Sequence, residues 1–106
     1  MPKYLLRASL TADGARGTLK EGGSARRAVV EGAAAAVGGT VEAFYYAFGD
    51  EDVYVIADFP DNASVAAFSL TISGSGAVRT STTVLMTSEE VDEASKKSVD
   101  YRPPGG

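Results

Sequence analysis

Four short stretches of the chain alternate between apolar and polar residues, and this period of two predicts a β-strand in each. The most distinct is VYVIADF at residues 53–59, where β-branched residues lie between an acidic, glycine-containing turn and Pro60. We expect this stretch to be a central strand with Tyr54, Ile56 and Asp58 on one face. The predicted strands span residues 3–10, 40–48, 53–59 and 77–86.

Helical spacing of apolar residues predicts three helices. The first spans residues 25–37, with Ser24 as its N-cap and Gly38-Gly39 at its end. The second spans residues 61–73 and the third residues 88–97. The glycine-rich segment 11–23 is predicted to be mostly loop, with one helical turn at residues 15–20. The predicted apolar face of the first helix contains Ala25, Ala28, Val29, Gly32, Ala33, Ala36 and Val37.

The order strand, helix, strand, strand, helix, strand predicts an α+β protein of ferredoxin-like fold. Right-handed crossovers then give a four-stranded antiparallel sheet with both main helices on one face, and a short C-terminal helix follows. The first and third strands are central in this arrangement. We expect a single domain over residues 1–98 and a flexible tail over residues 99–106.

The sheet face opposite the helices is predicted to be half apolar, which is unusual for a face left in water. Burial against another copy of the chain would cover it, so we expect a homo-oligomer, a dimer or higher, formed through this open face. Arg7 and Asp58 are expected to pair across the two central strands; plain interface packing is the simpler interpretation of this set. The predicted face contains Leu5, Arg7, Phe44, Tyr46, Tyr54, Ile56, Asp58 and Leu85.

The composition excludes several kinds of catalytic and metal site but does not indicate a particular reaction. The chain contains no Cys and no His, which excludes thiolate catalysis, a Ser-His-Asp triad and cysteine- or imidazole-bound metals. We therefore predict no metal site and no cofactor. A net charge of −4 argues against general nucleic-acid binding. No signal peptide and no membrane-spanning apolar stretch is expected, so a cytoplasmic location is the default.

Three segments together resemble the GYD domain family of small bacterial proteins: DGARGTLKEGGSARRAV, GGTVEAFYYAFGDEDVYVIADFPD and GAVRTSTTVLMTSEE. The resemblance extends over residues 4–92 and implies a ferredoxin-like chain of the dimeric α+β barrel type. It implies no particular chemistry. In the turn that names the family, Gly49 and Asp52 match, but Glu51 stands where a tyrosine is expected. Turn geometry and a side-chain bond to backbone are the structural explanation for Gly49 and Asp52.

Two groups of residues are candidates for ligand contacts. The first is basic and lies around a predicted helix start, a position that favours anions, although no P-loop spacing is present. Its members are Arg16, Lys20, Ser24 and Arg27. The second group would supply polar atoms to the space between sheet and helices or to the interior of a dimer. Its members are Arg7, Tyr46, Tyr54, Asp58 and Arg79.

The sequence favours a binding or assembly role, with a small organic or anionic ligand. The alternative is a cofactor-independent enzyme of the monooxygenase or isomerase type, by analogy with other dimeric α+β barrels. Each candidate group also has a purely structural explanation. The first group could be the solvent-exposed basic edge of a helix, and the second could be packing in an interface. Base stacking on sheet aromatics, as in ferredoxin-like RNA-binding modules, is disfavoured by the acidic charge.

Overall fold

A computed structural model describes residues 1–106 as one open sheet with helices packed on one face and an exposed C-terminal helix. The strands and helices follow the predicted order, with one additional helix before the first predicted one. Their bounds are β1 Lys3–Leu10, α1 Ala12–Glu21, α2 Gly23–Ala36, β2 Thr40–Tyr46, β3 Val53–Asp58, α3 Asn62–Gly74, β4 Val78–Leu85 and α4 Ser88–Ser95.

The sheet is fully antiparallel, with strand order β2-β3-β1-β4. This confirms the α+β ferredoxin-like fold and the central position of β1 and β3. In the register of the two central strands, Lys3 lies opposite Asp58, Leu5 opposite Ile56, and Arg7 opposite Tyr54. Across the other side of β1, Arg7 faces Ser81 and Ser9 faces Arg79.

The hydrophobic core lies on the sheet face that the helices cover. Tyr4 and Phe59 are its largest fully buried side chains, and their rings meet edge to face with centroids 5.9 Å apart. Phe68 of α3 packs against Phe59 at 5.2 Å. The Tyr4 hydroxyl donates to Asn62 Oδ1 at 2.6 Å, which satisfies the polar end of a buried ring. The first turn of α3 is thereby fixed to the central strand β1.

The segment predicted to be mostly loop is instead a ten-residue helix, α1, and this prediction was wrong. Thr11 begins the helix, since its hydroxyl oxygen accepts from the backbone N–H of Gly14. Its two glycines, Gly14 and Gly17, lower the helix propensity of this segment. The close packing of Gly14 against Ala77 offsets this loss. Ser24 is not an N-cap: α2 begins one residue after Gly22, whose φ of 88° is in the left-handed region.

The buried face of α2 is rotated from the predicted one. Ala34 is fully buried, and Val30, Ala33 and Val37 pack against the core, whereas Ala25, Ala28 and Gly32 are exposed. Small residues occupy almost every position of this helix, so their spacing alone does not define a unique face. The end of the helix agrees with prediction: Gly38 has φ 80°, and Gly39 N–H donates to the Ala34 carbonyl at 2.8 Å.

A bulge in β2 overturns the predicted faces of that strand. The register shifts between Val41 and Ala43, so Val41 and Phe44 both point toward the helices although they are three positions apart in the sequence. An extra residue in one strand reverses the alternation beyond it. Phe44 is therefore buried in the core, and Tyr46, which is partly exposed, lies on the helix side with its hydroxyl bonded to the Gly23 carbonyl of α2. Ala43 and Tyr45 lie opposite Ile56 and Tyr54, on the open face where Phe44 and Tyr46 were expected.

The later helices begin with the caps that their sequences indicate. Asp61 precedes α3 and accepts from the Ser64 N–H at 2.8 Å, and Thr87 forms a capping box with Glu90 before α4. Val65, Phe68 and Ile72 of α3 face the core as predicted. No helix is long and apolar enough to cross a membrane.

Candidate functional site

A cavity of about 240 Å³ lies between the sheet and the helices, and we call it the sheet–helix cavity. Its floor is the helix-facing side of the sheet, which includes Leu6, Ala8 and Val55. Helices α2 and α3 form the opposite wall with Val30, Ala33, Phe68 and Ile72. The lining is mostly aliphatic and aromatic, as in sites that enclose an organic molecule.

The cavity exists because the wall contributed by α1 has few side chains. Gly14, Gly17 and Thr18 lie on the face of α1 that lines it. A Cβ at Gly14 would lie 2.0 Å from the Ala77 carbonyl oxygen, so this glycine allows α1 to pack against the start of β4. A Cβ at Gly17 would meet nothing within 4 Å. Gly17 therefore leaves space that an ordinary residue would fill.

Charged side chains lie at the rim of the cavity, and each has an opposite charge beside it. Asp13 pairs with Arg16 one turn along α1. Glu21 accepts from Arg26 at 3.3 Å across the junction of α1 and α2. Three of these four side chains are about half exposed or more, and Arg26 is exposed by about a third (34%). The rim therefore carries no net charge from these four residues.

The hydroxyl groups of the lining are already hydrogen-bonded within the protein. Thr18 donates to the Gly14 carbonyl at 2.9 Å, and the Thr80 hydroxyl lies 2.8 Å from that of Ser73. The walls therefore present mainly hydrocarbon. An uncharged apolar molecule forms no strong hydrogen bonds with water, so it loses none when it enters this cavity.

Tyr46 closes one side of the cavity. Its hydroxyl donates to the Gly23 carbonyl at 2.9 Å, and its ring meets Phe44 edge to face at 5.3 Å. Gly23 permits this contact, since a Cβ there would approach the tyrosine ring to 2.9 Å. Beyond Tyr46 lies a surface hollow beside Leu19 and Phe48, both of which are almost fully exposed. Tyr46 thus separates the cavity from solvent on that side.

The structure divides the predicted ligand-binding group between two faces of the sheet. Of its five members, Tyr46 alone lines the sheet–helix cavity. The strand register places the other four on the open face. These four are Arg7, Tyr54, Asp58 and Arg79.

The expected ion pair between Arg7 and Asp58 does not form. Asp58 lies opposite Lys3 and accepts from its ammonium at 3.0 Å, while Arg7 lies four residues further along β1. Four residues of strand correspond to roughly 13 Å, beyond the reach of a direct pair. Lys3 also donates to Glu42 at 2.7 Å. The hydrogen bonds to Glu42 and then Asp58 raise the pKa of Lys3.

The predicted anion-binding residues lie on two successive helices. Arg16 and Lys20 belong to α1, and Ser24 and Arg27 to the first half of α2. Arg27 lies over the Phe44 ring at 5.8 Å and approaches Glu31 to 3.8 Å. Arg16 is paired with Asp13. The two arginines thus have acidic neighbours on their own helices.

The turn Gly49–Asp52 ties the β2–β3 hairpin to β1. The Asp52 carboxylate accepts from the Leu10 N–H at 2.8 Å, which confirms the predicted side-chain bond to backbone. Glu51, in the position where the family has tyrosine, accepts from the Ser9 hydroxyl at 2.8 Å. A side chain at Gly49 would meet nothing, and Gly49 has no positive φ. The contacts of the two acids therefore define this turn.

Sequence reasoning missed the α1 wall of the cavity because it assigned that segment to a loop. The signal was present: Gly14, Gly17 and Thr18 have the i, i+3, i+4 spacing of one helical face. Thr11 before an Asp-containing first turn is also a helix start.

The fold and the cavity together define a small α+β domain with a hydrocarbon-lined space under its helices. The model of the GYD domain matches residues 4–95, and the chain belongs to this family. A search of curated proteins and a search of solved structures each found no match.

Proposed function

We propose that this protein binds a small, uncharged and mainly apolar organic molecule in the sheet–helix cavity, and that it does so as a cytoplasmic homo-oligomer. The observation that carries the proposal is the space beside Gly17. Gly17 lines the cavity and is partly buried, and a Cβ at this position would meet nothing within 4 Å. Protein interiors are normally close-packed, and a space of this size is therefore unusual. We interpret it as a binding site for a ligand.

The size of the cavity limits the ligand to about one ring or a short branched chain. An apolar cavity of about 150 Å³ is known to hold benzene, whereas drug-sized ligands occupy about 300 Å³ or more. At about 240 Å³ the sheet–helix cavity lies between these values. A monocyclic aromatic or terpene-like molecule fits this range.

The chemistry of the walls supports binding more than turnover. The interior contains threonine hydroxyls and the Tyr46 hydroxyl, all already hydrogen-bonded within the protein, and the carboxylates and the arginines remain at the rim in opposite-charge pairs. A general acid or base must lie within hydrogen-bond reach of the reacting atoms. Tyr46 is the one ionisable side chain of the inner wall and its hydroxyl is bonded to the Gly23 carbonyl, so we do not extend the proposal to an enzyme.

Solution NMR of methyl groups tests the binding proposal with three probes that share one ring: toluene, benzoate and benzylammonium. We expect toluene to shift the methyl resonances of Leu6, Val30 and Ile72, which line the cavity. The two charged probes should have little effect, because an apolar wall cannot replace their hydration. Absence of a toluene-dependent shift at these methyls would refute the proposal.

Substitution of Gly17 by valine supplies the matched control. Its side chain would project into the cavity and should abolish the toluene shifts. Gly32 of α2 is also a helical glycine whose Cβ would meet nothing, but it does not line the cavity. Gly32→Val should therefore bind toluene as the unmodified protein does. Equal toluene binding by the Gly17→Val and Gly32→Val variants would show that the ligand lies elsewhere.

Self-association through the open sheet face is supported by its half-apolar character. Leu5 and Ile56 lie opposite each other at the centre of that face and are each only partly buried, while Tyr45 and Tyr54 remain more exposed. Burial of these side chains against a second copy would remove them from water. Sedimentation equilibrium measures this directly, and a monomer throughout the micromolar range would contradict it.

A further inference from the structure

The sheet–helix cavity and the surface hollow outside it share part of their walls. Leu10, Thr18 and Tyr46 line both spaces, and we call these three residues the partition. Leu10 is the last residue of β1. Leu6, four positions earlier on the same face of that strand, lines the cavity but not the hollow. The cavity therefore extends along β1 from Leu6 to the partition.

The partition carries two hydroxyl groups, and each donates its proton to a carbonyl of the protein. Thr18 donates to the Gly14 carbonyl at 2.9 Å, and Tyr46 donates to the Gly23 carbonyl at 2.9 Å. A hydroxyl that donates its one proton can still accept through its oxygen. No other group of the chain donates to either oxygen. Both oxygens therefore remain free as hydrogen-bond acceptors.

Hydrogen-bonding side chains elsewhere in the lining already form pairs. The Thr80 hydroxyl lies 2.8 Å from that of Ser73 on the β4 side, and Arg26 donates to Glu21 at the rim. The remaining wall is hydrocarbon from aliphatic and aromatic side chains. The partition is therefore the part of the inner wall where the structure leaves free acceptors.

We infer that the ligand carries one hydrogen-bond donor, as a phenol or an alcohol does, and that Thr18 and Tyr46 determine this specificity. Its apolar body lies toward Leu6, and its hydroxyl donates to an oxygen of the partition. A hydroxyl placed deeper in the cavity would meet hydrocarbon and remain without a partner, which is costly. An ether of the same size gains nothing at the partition, because both protons there are in use. The inference rests on the proposed binding in the cavity and adds the chemical class and orientation of the ligand.

Three probes that share a benzene ring test the inference on the unmodified protein: toluene, para-cresol and anisole. The last two are isomers and need nearly the same space, but only para-cresol has an O–H donor. We expect NMR titrations to show that para-cresol binds about threefold or more tightly than anisole, the factor that one net hydrogen bond supplies. Without an acceptor in the cavity, para-cresol would instead bind more weakly than anisole, because its hydroxyl would lose a hydrogen bond to water.

Intermolecular NOEs test the orientation. The methyl group of para-cresol should show NOEs to the methyl groups of Leu6, and the ring protons beside its hydroxyl should show NOEs to those of Leu10. Toluene lacks the hydroxyl, so its methyl group should show NOEs to both leucines. A para-cresol methyl group that shows NOEs only to Leu10 would overturn the orientation.

Removal of both partition hydroxyls tests which residues determine the specificity. In the double variant Thr18→Val and Tyr46→Phe, para-cresol should lose its advantage over anisole, whereas toluene should still bind. The control is the double variant Thr71→Val and Tyr101→Phe, which removes the same two groups from residues that do not line the cavity. Thr71 donates to the Ala67 carbonyl at 2.8 Å, one turn earlier in its helix, as Thr18 does to Gly14. This control should keep the preference for para-cresol.

Failure of this inference and failure of the proposed function give different results. Absence of binding by all three probes overturns both. Binding of toluene together with an anisole affinity equal to or above that of para-cresol overturns the inference and leaves the proposed function in place. A preference for para-cresol that persists in the Thr18→Val and Tyr46→Phe variant overturns the assignment to these two hydroxyls. If that variant fails to fold, the ranking and the NOEs of the unmodified protein decide the inference.

Discussion

Two glycines on the same face of α1 make a paired test of how that helix is positioned. Gly14 and Gly17 both have helical backbone angles, so alanine at either site gains about 1 kcal/mol of helix propensity. Their surroundings differ. At Gly17 the new methyl group enters open space, and the whole gain should appear as added stability.

At Gly14 the new methyl group would lie 2.0 Å from the Ala77 carbonyl oxygen and 3.0 Å from its carbon. That oxygen accepts from the Thr11 N–H at 3.0 Å and from the Thr11 hydroxyl at 3.1 Å. The clash must therefore displace backbone, with an overpacking cost of about 1–3 kcal/mol. Each lost hydrogen bond adds about 0.5–1.5 kcal/mol. These costs exceed the propensity gain, so we expect Gly14→Ala to be destabilised by roughly 2 kcal/mol.

Urea denaturation monitored by far-UV circular dichroism measures both variants against the unmodified protein. The two substitutions are chemically identical, so unfolded-state effects largely cancel in their difference. We expect Gly17→Ala to unfold at higher and Gly14→Ala at lower urea concentration. In thermal unfolding their midpoints should differ by about 10 °C or more, given about 4–8 °C per kcal/mol in a domain of this size. A Gly14→Ala variant as stable as Gly17→Ala would refute the packing of α1 against Ala77.

Three further predictions concern the core and the two perturbed ionisable groups. Phe59→Ala should lose about 3–5 kcal/mol in urea unfolding, since Phe59 is fully buried between Tyr4 and Phe68; a loss below about 1 kcal/mol would contradict its central position. Hydrogen bonds from the Ser64 hydroxyl and then from its N–H lower the pKa of Asp61 in the folded protein below 3.8. The ionised carboxylate therefore stabilises the folded protein above pH 3.8, and this stabilisation is lost as the pH falls through the pKa of the folded state. Asp61→Asn should keep the cap and reduce the loss of stability in acid; an unchanged acid profile would contradict this. The pKa of Lys3 in the folded protein is raised above 10.5. Its contribution to the free energy of unfolding is therefore complete below pH 10.5 and is lost as the pH rises through the pKa of the folded state. Lys3→Met should remove this alkaline dependence from the urea midpoints, and an unchanged dependence would contradict the assignment.

The fold was predictable because its central elements have unbroken patterns. Residues 53–58 alternate without interruption, and the structure places Tyr54, Ile56 and Asp58 on the open face as expected. Asp61 after Pro60 indicated the start of α3, and the cap is present. These features are local, so sequence spacing is sufficient to specify them.

The site was less predictable because tertiary packing decided its two essential features. The alternation from Val41 onward gives no sign of a bulge, yet one extra residue moves Phe44 and Tyr46 to the helix side. Glycines indicated a loop at residues 11–23, but Gly14 belongs to a helix and allows α1 to approach the backbone of Ala77 closely. The cavity results from the missing side chain at Gly17, and the pattern of apolar and polar residues does not predict such a space.

The central claim is that an apolar molecule occupies the space beside Gly17, and intermolecular NOEs between bound toluene and the protein test it most directly. We expect NOEs from the toluene ring to the methyl groups of Leu6, Val30 and Ile72. These NOEs should disappear in Gly17→Val and persist in Gly32→Val. NOEs confined to Leu5 and Ile56 would place the probe on the open sheet face and contradict the claim.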